Sequence, residues 1–351
     1  MKKRGDFSNK NILITGGTGS IGKIIVKKLL LSGVKSLTIF SRDEQKHFAL
    51  QHELEHPKNA RFLIGDIRDH RTVHMACRGI DIIFHAAAMK HVPICEEDPF
   101  EAVKTNVIGA YNLRQAAIEN NVEKVIIIST DKAVRPINVM GMTKALQERI
   151  TLAENNHRTD FIGVRFGNVL GSLGSVIPLF IQKIKEGKPI PLTNSEMTRF
   201  ILPTGKAVDL VFQATHEGNH GEIFVKKMPA CSIQKLTEAI ISMYSADKNY
   251  PIKITGLRKG EQVHEALVSD EEMRRVKEYQ DHFVIAPAWT KEKKKNLGRE
   301  YNSQNSEATL GKEDLVKMLR QLEPFITMPN PAYKGGLDTS SHASVKIQSR
   351  C

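Results

Sequence analysis

Cysteine is scarce in this chain: four residues in 351, Cys77, Cys95, Cys231 and Cys351, all far apart. None falls into the close pairs of a zinc site or a redox dithiol, so no metal centre is expected and the thiols read as free ones in a reducing compartment. Long apolar runs are missing too. No stretch reaches the roughly 18 residues of a membrane-crossing helix, and the basic start Met1-Lys2-Lys3-Arg4 leads into a strand without the apolar region of a signal peptide. A cytoplasmic protein with no membrane partner is expected. No internal repeat is visible.

Concentrated charge is also lacking, although the formal net charge is +12. The lysines are spread along the chain with only short runs, such as the one at 291–295. That spread predicts a dispersed basic surface and no nucleic-acid partner; its summed field would concentrate a diphosphate ligand without identifying it. Hydrophobic residues at 40% and charged residues at 26% are ordinary for a soluble globular protein and exclude a disordered or fibrous one. At this length one core is seldom enough, so a large domain with a smaller one beside it is predicted.

What is present begins with the apolar run Asn11-Ile12-Leu13-Ile14-Thr15, then Gly16-Gly17-Thr18-Gly19-Ser20-Ile21-Gly22, then an amphipathic stretch to Leu31. This reads as strand, glycine turn and helix. A second strand at 36–40 completes a βαβ unit. Further apolar strands at 61–64, 80–86 and 124–129 alternate with helical stretches. Continuous apolar strands are expected where helices cover both faces of a sheet, so the fold class is α/β, a doubly wound parallel sheet of Rossmann type. Beyond Asn168 the alternation gives way to loops bearing Gly and Pro, including 171–178 and 187–191, where ligand-binding elements are expected. A helix at 209–216 and a strand at 223–225 are read as returning to the main sheet. The segment 335–351 is polar and reads as a disordered tail.

Gly16, Gly19 and Gly22 supply a turn, a close backbone approach and room for helix packing, so that the helix start, with Thr18, Ser20 and Ile21, can receive a pyrophosphate. The end of the second strand lacks the acidic residue that would hold an NAD ribose. Phe40 is followed instead by Ser41 and Arg42. That favours NADP: Arg42 can stack on adenine and pair with a 2′-phosphate, Ser41 can donate to it, and Asp43 and Lys46 lie just beyond. The alternative is a solvated arginine in a charged turn. Asp66 and Ile67, after the third strand, are placed to touch the adenine edge.

At the end of the 124–129 strand stands Ser129-Thr130-Asp131-Lys132, and Met140-Gly141-Met142-Thr143-Lys144 opens the next helix. Hydroxyl, carboxyl and ammonium groups thus gather at a carboxyl strand edge, where open α/β sheets bind ligands; the bland reading is a surface ion pair. Taken in order, TGGTGSIG, SRDE, HAAAMKHVP, STDKAVRPINVMGMTK, RFGNVLGSLGSVIPLF, MTRF and GLRKGEQVHEAL resemble the extended short-chain dehydrogenase/reductase superfamily. Within it they resemble the inverting UDP-N-acetylglucosamine 4,6-dehydratases of polysaccharide biosynthesis. The likeness runs from Asn11 to about Leu322.

The resemblance implies an NADP-dependent reaction on UDP-N-acetylglucosamine in three stages: hydride leaves carbon 4, water is eliminated across carbons 5 and 6, and the hydride returns to carbon 6. Lys132 is implied as the carbon-5 base, if its pKa is lowered by Lys144 and the nicotinamide. Asp131 would donate, in protonated form, to the departing 6-hydroxyl, and Thr130 would bond near the 4-oxygen. One departure matters. The superfamily's Tyr-x-x-x-Lys pair is here Met140 and Lys144, and a thioether cannot accept a hydroxyl proton. Either another group takes it, Asp131 and Lys132 being nearest, or oxidation has been lost. One branch of these dehydratases also carries Met there.

By the same resemblance Ala86, Ala87 and Ala88 allow the cofactor close, Lys90 and His91 face the substrate, and Asn106 orients the loop near the nicotinamide. Asn168, the 171–175 loop, Val176, Thr198, Arg199, Arg258 and Glu261 would form a nucleotide-sugar clamp, with guanidinium forks on phosphate oxygens. Residues 8–167 are then the NADP-binding domain, rejoined by 205–225; residues 168–204 and 226–330 form the nucleotide-sugar domain, and 331–351 the tail. A homo-oligomer is expected. Two other functions stay open: a nucleotide-sugar 4-epimerase, which would need no acid and base at carbons 5 and 6, and an NADP-binding sensor or scaffold, which would not explain the clamp.

Overall fold

β1 (Asn11–Thr15) buries four of its five residues, and α1 (Ser20–Leu31) turns Gly22, Ile25, Val26 and Leu29 inward at helical spacing. The computed structural model describes residues 7–154, 156–170, 176–290, 298–306 and 308–321. The 171–175 loop, the lysine run at 291–295 and the tail at 331–351 lie outside them.

The alternation continues through β2 (Ser36–Ser41), α2 (Glu44–Glu53), β3 (Ala60–Ile64), α3 (His70–Ala76) and β4 (Ile82–His85). Next come α4 (Val92–Glu97), α5 (Pro99–Ala102), a π-helical turn (Val103–Ile108), α6 (Gly109–Glu119) and β5 (Lys124–Ile128). A 3₁₀ turn (Asp131–Ala133), α7 (Val139–Thr151) and β6 (Asp160–Arg165) complete this half. Strands β3, β2, β1, β4, β5 and β6 lie side by side in that order, all parallel. The direction of winding reverses between β1 and β4. Their carboxyl ends, at Thr15 and His85, therefore flank the crevice in which such sheets bind ligands.

The second half runs through β7 (Asn168–Leu170), α8 (Val176–Lys185), β8 (Ile190–Leu192), β9 (Thr198–Pro203), α9 (Thr204–Glu217) and β10 (Ile223–Lys226). It continues with β11 (Ala230–Ser232), α10 (Ile233–Tyr244), β12 (Ile252–Ile254), β13 (Ala266–Val268) and α11 (Asp270–Met273). β14 (Val276–Glu278), β15 (His282–Ile285), β16 (Tyr301–Asn302) and α12 (Lys312–Arg320) close the described chain. β10, following α9, joins the main sheet parallel to β6. β15 and β14 then extend the sheet antiparallel, so residues 276–285, which the sequence boundary places in the smaller domain, complete the large one. A separate core of Ile177, Phe180, Ile190, Leu236, Ile240, Leu315 and Leu319 holds the smaller layer together.

The expected loop at 171–178 is shorter than it reads. Helix α8 begins at Val176 with Pro178 in its first turn, where the missing amide hydrogen does no harm. Pro191 sits within β8, paired in register with Lys253 of β12. Among the described residues no helix is long and apolar enough to cross a membrane. Cys77, Cys95 and Cys231 are buried free thiols.

Candidate active site

The glycine turn is built by contact. Gly16 has φ +69°, and a Cβ there would come within 2.6 Å of the Ala87 amide nitrogen. One on Gly22 would lie 2.3 Å from the Gly16 carbonyl oxygen, while Gly19 is only mildly restricted. The first turn of α1 therefore nests against the turn that follows β1, and that turn against Ala86 and Ala87. Gly19 caps α1 without a side-chain bond, and no acidic residue stands in the first turn. A side-chain-free cradle with the positive end of a helix dipole above it fits a dinucleotide pyrophosphate.

At the adenosine end Thr18 Oγ1 lies 3.0 Å from Ser41 Oγ, which lies 2.7 Å from Nε2 of the buried His47. Ser41 is thus fixed by a chain of polar contacts. Arg42 is 51% exposed and 3.7 Å from Asp66, a carboxylate gripped by Arg68 at 2.6 Å. Asp43 and Lys46, expected to face the cofactor, satisfy each other. Asp43 accepts from the Lys46 amide, capping α2, and pairs with its ammonium at 2.6 Å. Ile67 is buried against Gly109.

Past β4 the chain is held by Asn106 in the π-helical turn. Its side chain accepts from the Met89 amide (2.8 Å), donates to the Met89 carbonyl (3.0 Å) and donates to Thr143 Oγ1 (3.0 Å). One buried amide thus pins the 86–91 segment to α7, and a π turn at such a place is common at functional sites. Lys90 and His91 are exposed. Both titrate below their ordinary ranges through desolvation, His91 further through the charge of Lys90.

Thr130, Asp131 and Lys132 form a knot at the end of β5. Thr130 Oγ1 donates to Asp131 Oδ1 at 2.7 Å. Lys132 Nζ donates to Asp131 Oδ1 at 3.2 Å, to Asn168 Oδ1 at 3.5 Å and to Glu265 Oε1 at 2.8 Å. Asp131 is 2% and Glu265 3% exposed, and the second oxygen of each carboxyl is buried without a hydrogen-bond donor. The two carboxyls meet each other. Burial and the Asp131 charge push Glu265 up to about 7; burial acts against Asp131 too, but the Lys132 charge together with hydrogen bonds from Glu265, Thr130 and Lys132 outweighs it and holds Asp131 below its ordinary range.

The resting charges are the reverse of those the two expected roles need. Burial alone would lower Lys132, yet Asp131 and Glu265 hold it charged, well above its ordinary value. The carboxyl that readily keeps a proton is Glu265, not Asp131. Glu265 was missed in the sequence because its partner Lys132 lies 133 residues away and no spacing announces the contact. Its only signal was a place in the GEQVHEAL stretch, where Glu261 drew attention instead.

Lys144 donates to the Ile128 carbonyl at 2.6 Å and to Gln147. Burial pushes it down to about 8, with Glu148 partly opposing. Its charge adds to burial in lowering His85 to about 3, and His85 Nδ1 lies 2.7 Å from Thr15 Oγ1. Met140 is 5% exposed and packs with Cys95, Ala102 and Met89.

The expected clamp is only partly assembled. Arg199 is turned inward: its guanidinium donates to the carbonyls of Thr198, Val263 and Gln262 and lies 3.2 Å from Glu265. It braces the segment leading to Glu265 instead of offering a fork to phosphate. Thr198 Oγ1 lies 2.8 Å from His264 Nδ1 and 2.7 Å from Ser303 Oγ. Arg258 is exposed, in a turn where Glu261 accepts from its amide at 3.1 Å. Val176 opens α8 and Asn168 touches Lys132.

A doubly wound parallel sheet with a glycine turn at its switch point is the fold of the extended short-chain dehydrogenase/reductase type. Residues 12–287 match the family model described as polysaccharide biosynthesis protein, and the chain belongs to that family. It is 42% identical over 335 residues to a UDP-glucose 4-epimerase of Rickettsia conorii, covering 90% of this chain and 97% of that one. It is 46% identical to a protein of Methanocaldococcus jannaschii described as an uncharacterized membrane protein, with the same coverage. Among solved structures, Pen from Bacillus thuringiensis matches with TM-score 0.84 and 40% identity over 90% of this chain and 99% of that one. The dTDP-glucose 4,6-dehydratase DesIV of Streptomyces venezuelae, at 24% identity and TM-score 0.67 over 72% of this chain and 86% of that one, shares the fold.

Proposed function

We propose that the chain is a cytoplasmic, NADP-dependent UDP-N-acetylglucosamine 4,6-dehydratase that inverts carbon 5 and yields UDP-2-acetamido-2,6-dideoxy-β-L-arabino-hex-4-ulose for surface polysaccharide. The observation that carries this reading is the buried knot of Thr130, Asp131, Lys132 and Glu265 at the carboxyl end of β5. Moving hydride at carbon 4 alone requires no such set, whereas elimination across carbons 5 and 6 requires both an acid and a base.

Bound NADP supplies the hydride acceptor and donor. Gly16, Gly22 and the start of α1 would hold its pyrophosphate, with Arg42 and Ser41 at the 2′-phosphate and Asn106 fixing the wall beside the nicotinamide. The chain's side chains do the rest: Lys132 takes the proton from carbon 5, Asp131 protonates the departing 6-hydroxyl, and Thr130 orients the 4-oxygen. Met140 contributes packing. Self-association is part of the reading, supported by exposed Tyr111 on α6 and Met142 and Leu146 on the adjoining α7.

The relatives named UDP-glucose 4-epimerase favour a second reading, 4-epimerisation. Product mass separates the two. Incubation with UDP-N-acetylglucosamine should give a product lighter by one water, and NMR couplings should show the L-configuration at carbon 5. A retained D-configuration would remove the inversion while leaving dehydration standing.

A further inference from the structure

The knot contains one more titratable group than an acid and a base require. Resting on the dehydratase reading, the proton count shows why. Oxidation at carbon 4 removes a hydride, for which bound NADP is the acceptor, and leaves the 4-hydroxyl proton with the protein as the carbonyl forms. A tyrosine at position 140 would take that proton; Met140 cannot. Elimination then breaks the C5–H bond, whose electrons form the C5=C6 bond, while the C6–O electron pair leaves with oxygen. The carbon-5 proton must enter the protein and another must leave on water. Finally hydride returns to carbon 6 and a proton to carbon 5.

Lys132 begins charged, pressed between Asp131 and Glu265. The knot therefore starts with one proton and holds two after oxidation. If Asp131 and Lys132 were its only sites, both would then be full and no base would be left for carbon 5. We propose that Glu265 is the third proton-holding side chain of this active site, a positioning residue that stores the displaced proton so that Asp131 can act as acid while Lys132 is neutral. The two protons then sit on the carboxyls, Lys132 accepts the carbon-5 proton, and Asp131 completes the departing water. A proton then reaches carbon 5 on its other face from solvent, which inverts the centre, and Lys132 gives its own proton back to solvent, leaving one proton, as at the start.

Several observations fit this role. Glu265 Oε1 is 2.8 Å from Lys132 Nζ, near enough for direct transfer. Its other oxygen is buried and lacks a donor, as is Oδ2 of Asp131, so a proton shared between the carboxyls would satisfy both. The charges facing the pair are Lys132 from the 3₁₀ turn and Arg199 from β9; His264, next in the chain, is turned to Thr198. With both cations present, the pair can lose and regain a proton around neutral pH, Glu265 standing at about 7.

The test is Glu265→Gln in the full chain with NADP, alongside Glu265→Asp. The parent should dehydrate UDP-N-acetylglucosamine with kcat/KM falling as pH drops through about 7, because an already protonated pair cannot take the 4-hydroxyl proton. Glu265→Gln should lose about 100-fold in water loss and shift that acid limb downward, while Glu265→Asp keeps the limb and recovers much of the rate. Infrared titration of the substrate-free proteins gives a readout apart from turnover. A protonated-carboxyl band titrating near neutral pH should be present in the parent and absent from Glu265→Gln. A parent that dehydrates, with Glu265→Gln matching its rate, acid limb and band, overturns the assignment and leaves the dehydratase reading intact. A parent that removes no water overturns both. If Glu265→Gln does not fold, the parent band decides: no such band, or one unmoved in Glu265→Asp, counts against the proposal.

Discussion

Arg42 is half exposed on the rim of the cradle, held by little more than a 3.7 Å pairing with Asp66, so its guanidinium is available to a phosphate. Replacing it with Ala should weaken NADP by about 1.5–3 kcal/mol, the range of a charge-assisted hydrogen bond, and NAD far less. Calorimetric titration with both cofactors checks this, and equal losses would remove the argument for 2′-phosphate recognition. Lys132→Met should abolish elimination, a loss of about 10²–10⁴-fold or roughly 3–5 kcal/mol of barrier, and leave NADP binding nearly unchanged. Met140→Ala should reduce stability modestly and activity much less, since Met140 lies in an apolar cluster with Cys95 and Ala102. Turnover of each variant measured beside its melting temperature distinguishes the two effects. At this scale the sequence was most legible where chemistry is local, as in Gly16, Ser41, Arg42 and the 130–132 run. It was least legible for Glu265 and Arg199, because a long-range ion pair leaves no periodic trace.

The elements meet through buried polar joints more than through loops. Arg165 on β6 donates to Glu148 of α7 at 2.8 and 2.6 Å and to Glu272 of α11 at 3.0 and 2.8 Å. It also reaches the Leu267 carbonyl of β13 at 3.3 Å. That triad ties the helix bearing Lys144 to the segment that follows Glu265. Removing Arg165 would strand two buried carboxylates and should destabilise the fold by about 3–5 kcal/mol. Burial raises Glu272, but Arg165 more than offsets it and holds the carboxyl at about 2, against an ordinary 4.5. A depressed pKa contributes stability that is fully present above pH 4.5 and is lost as pH falls through about 2. Urea unfolding across that interval should show this acid loss in the parent and a flatter profile in Glu272→Gln; identical slopes would mean that the pair does not couple to folding. Strands β1, β4 and β5 were readable because they are continuous apolar runs buried on both faces. β14 and β15 were not, since they join the sheet antiparallel, outside the strand–helix alternation that marked the others.

For the whole molecule the sheet supplies a site and the smaller layer completes it. The crevice at the β1–β4 switch point, the 3₁₀ turn after β5 and the strand entry at Glu265 come from separate stretches, and they converge only because β10, β15 and β14 extend the sheet while β9 and β13 fold back over its carboxyl edge. Fold class could be read from alternation and the glycine turn, whereas the division into layers could not, because β15 pairs with β10 and β14 with β15, which brings residues 276–285 into the main sheet. On the proposed function this convergence performs acid–base elimination and not hydride transfer alone. Its most direct test is incubation with UDP-N-acetylglucosamine in heavy water, followed by mass spectrometry and NMR of the sugar. The expected product lacks one water and carries one deuterium at carbon 5, delivered from solvent to the face opposite Lys132. A product of unchanged mass, epimerised at carbon 4 and free of deuterium, would contradict it.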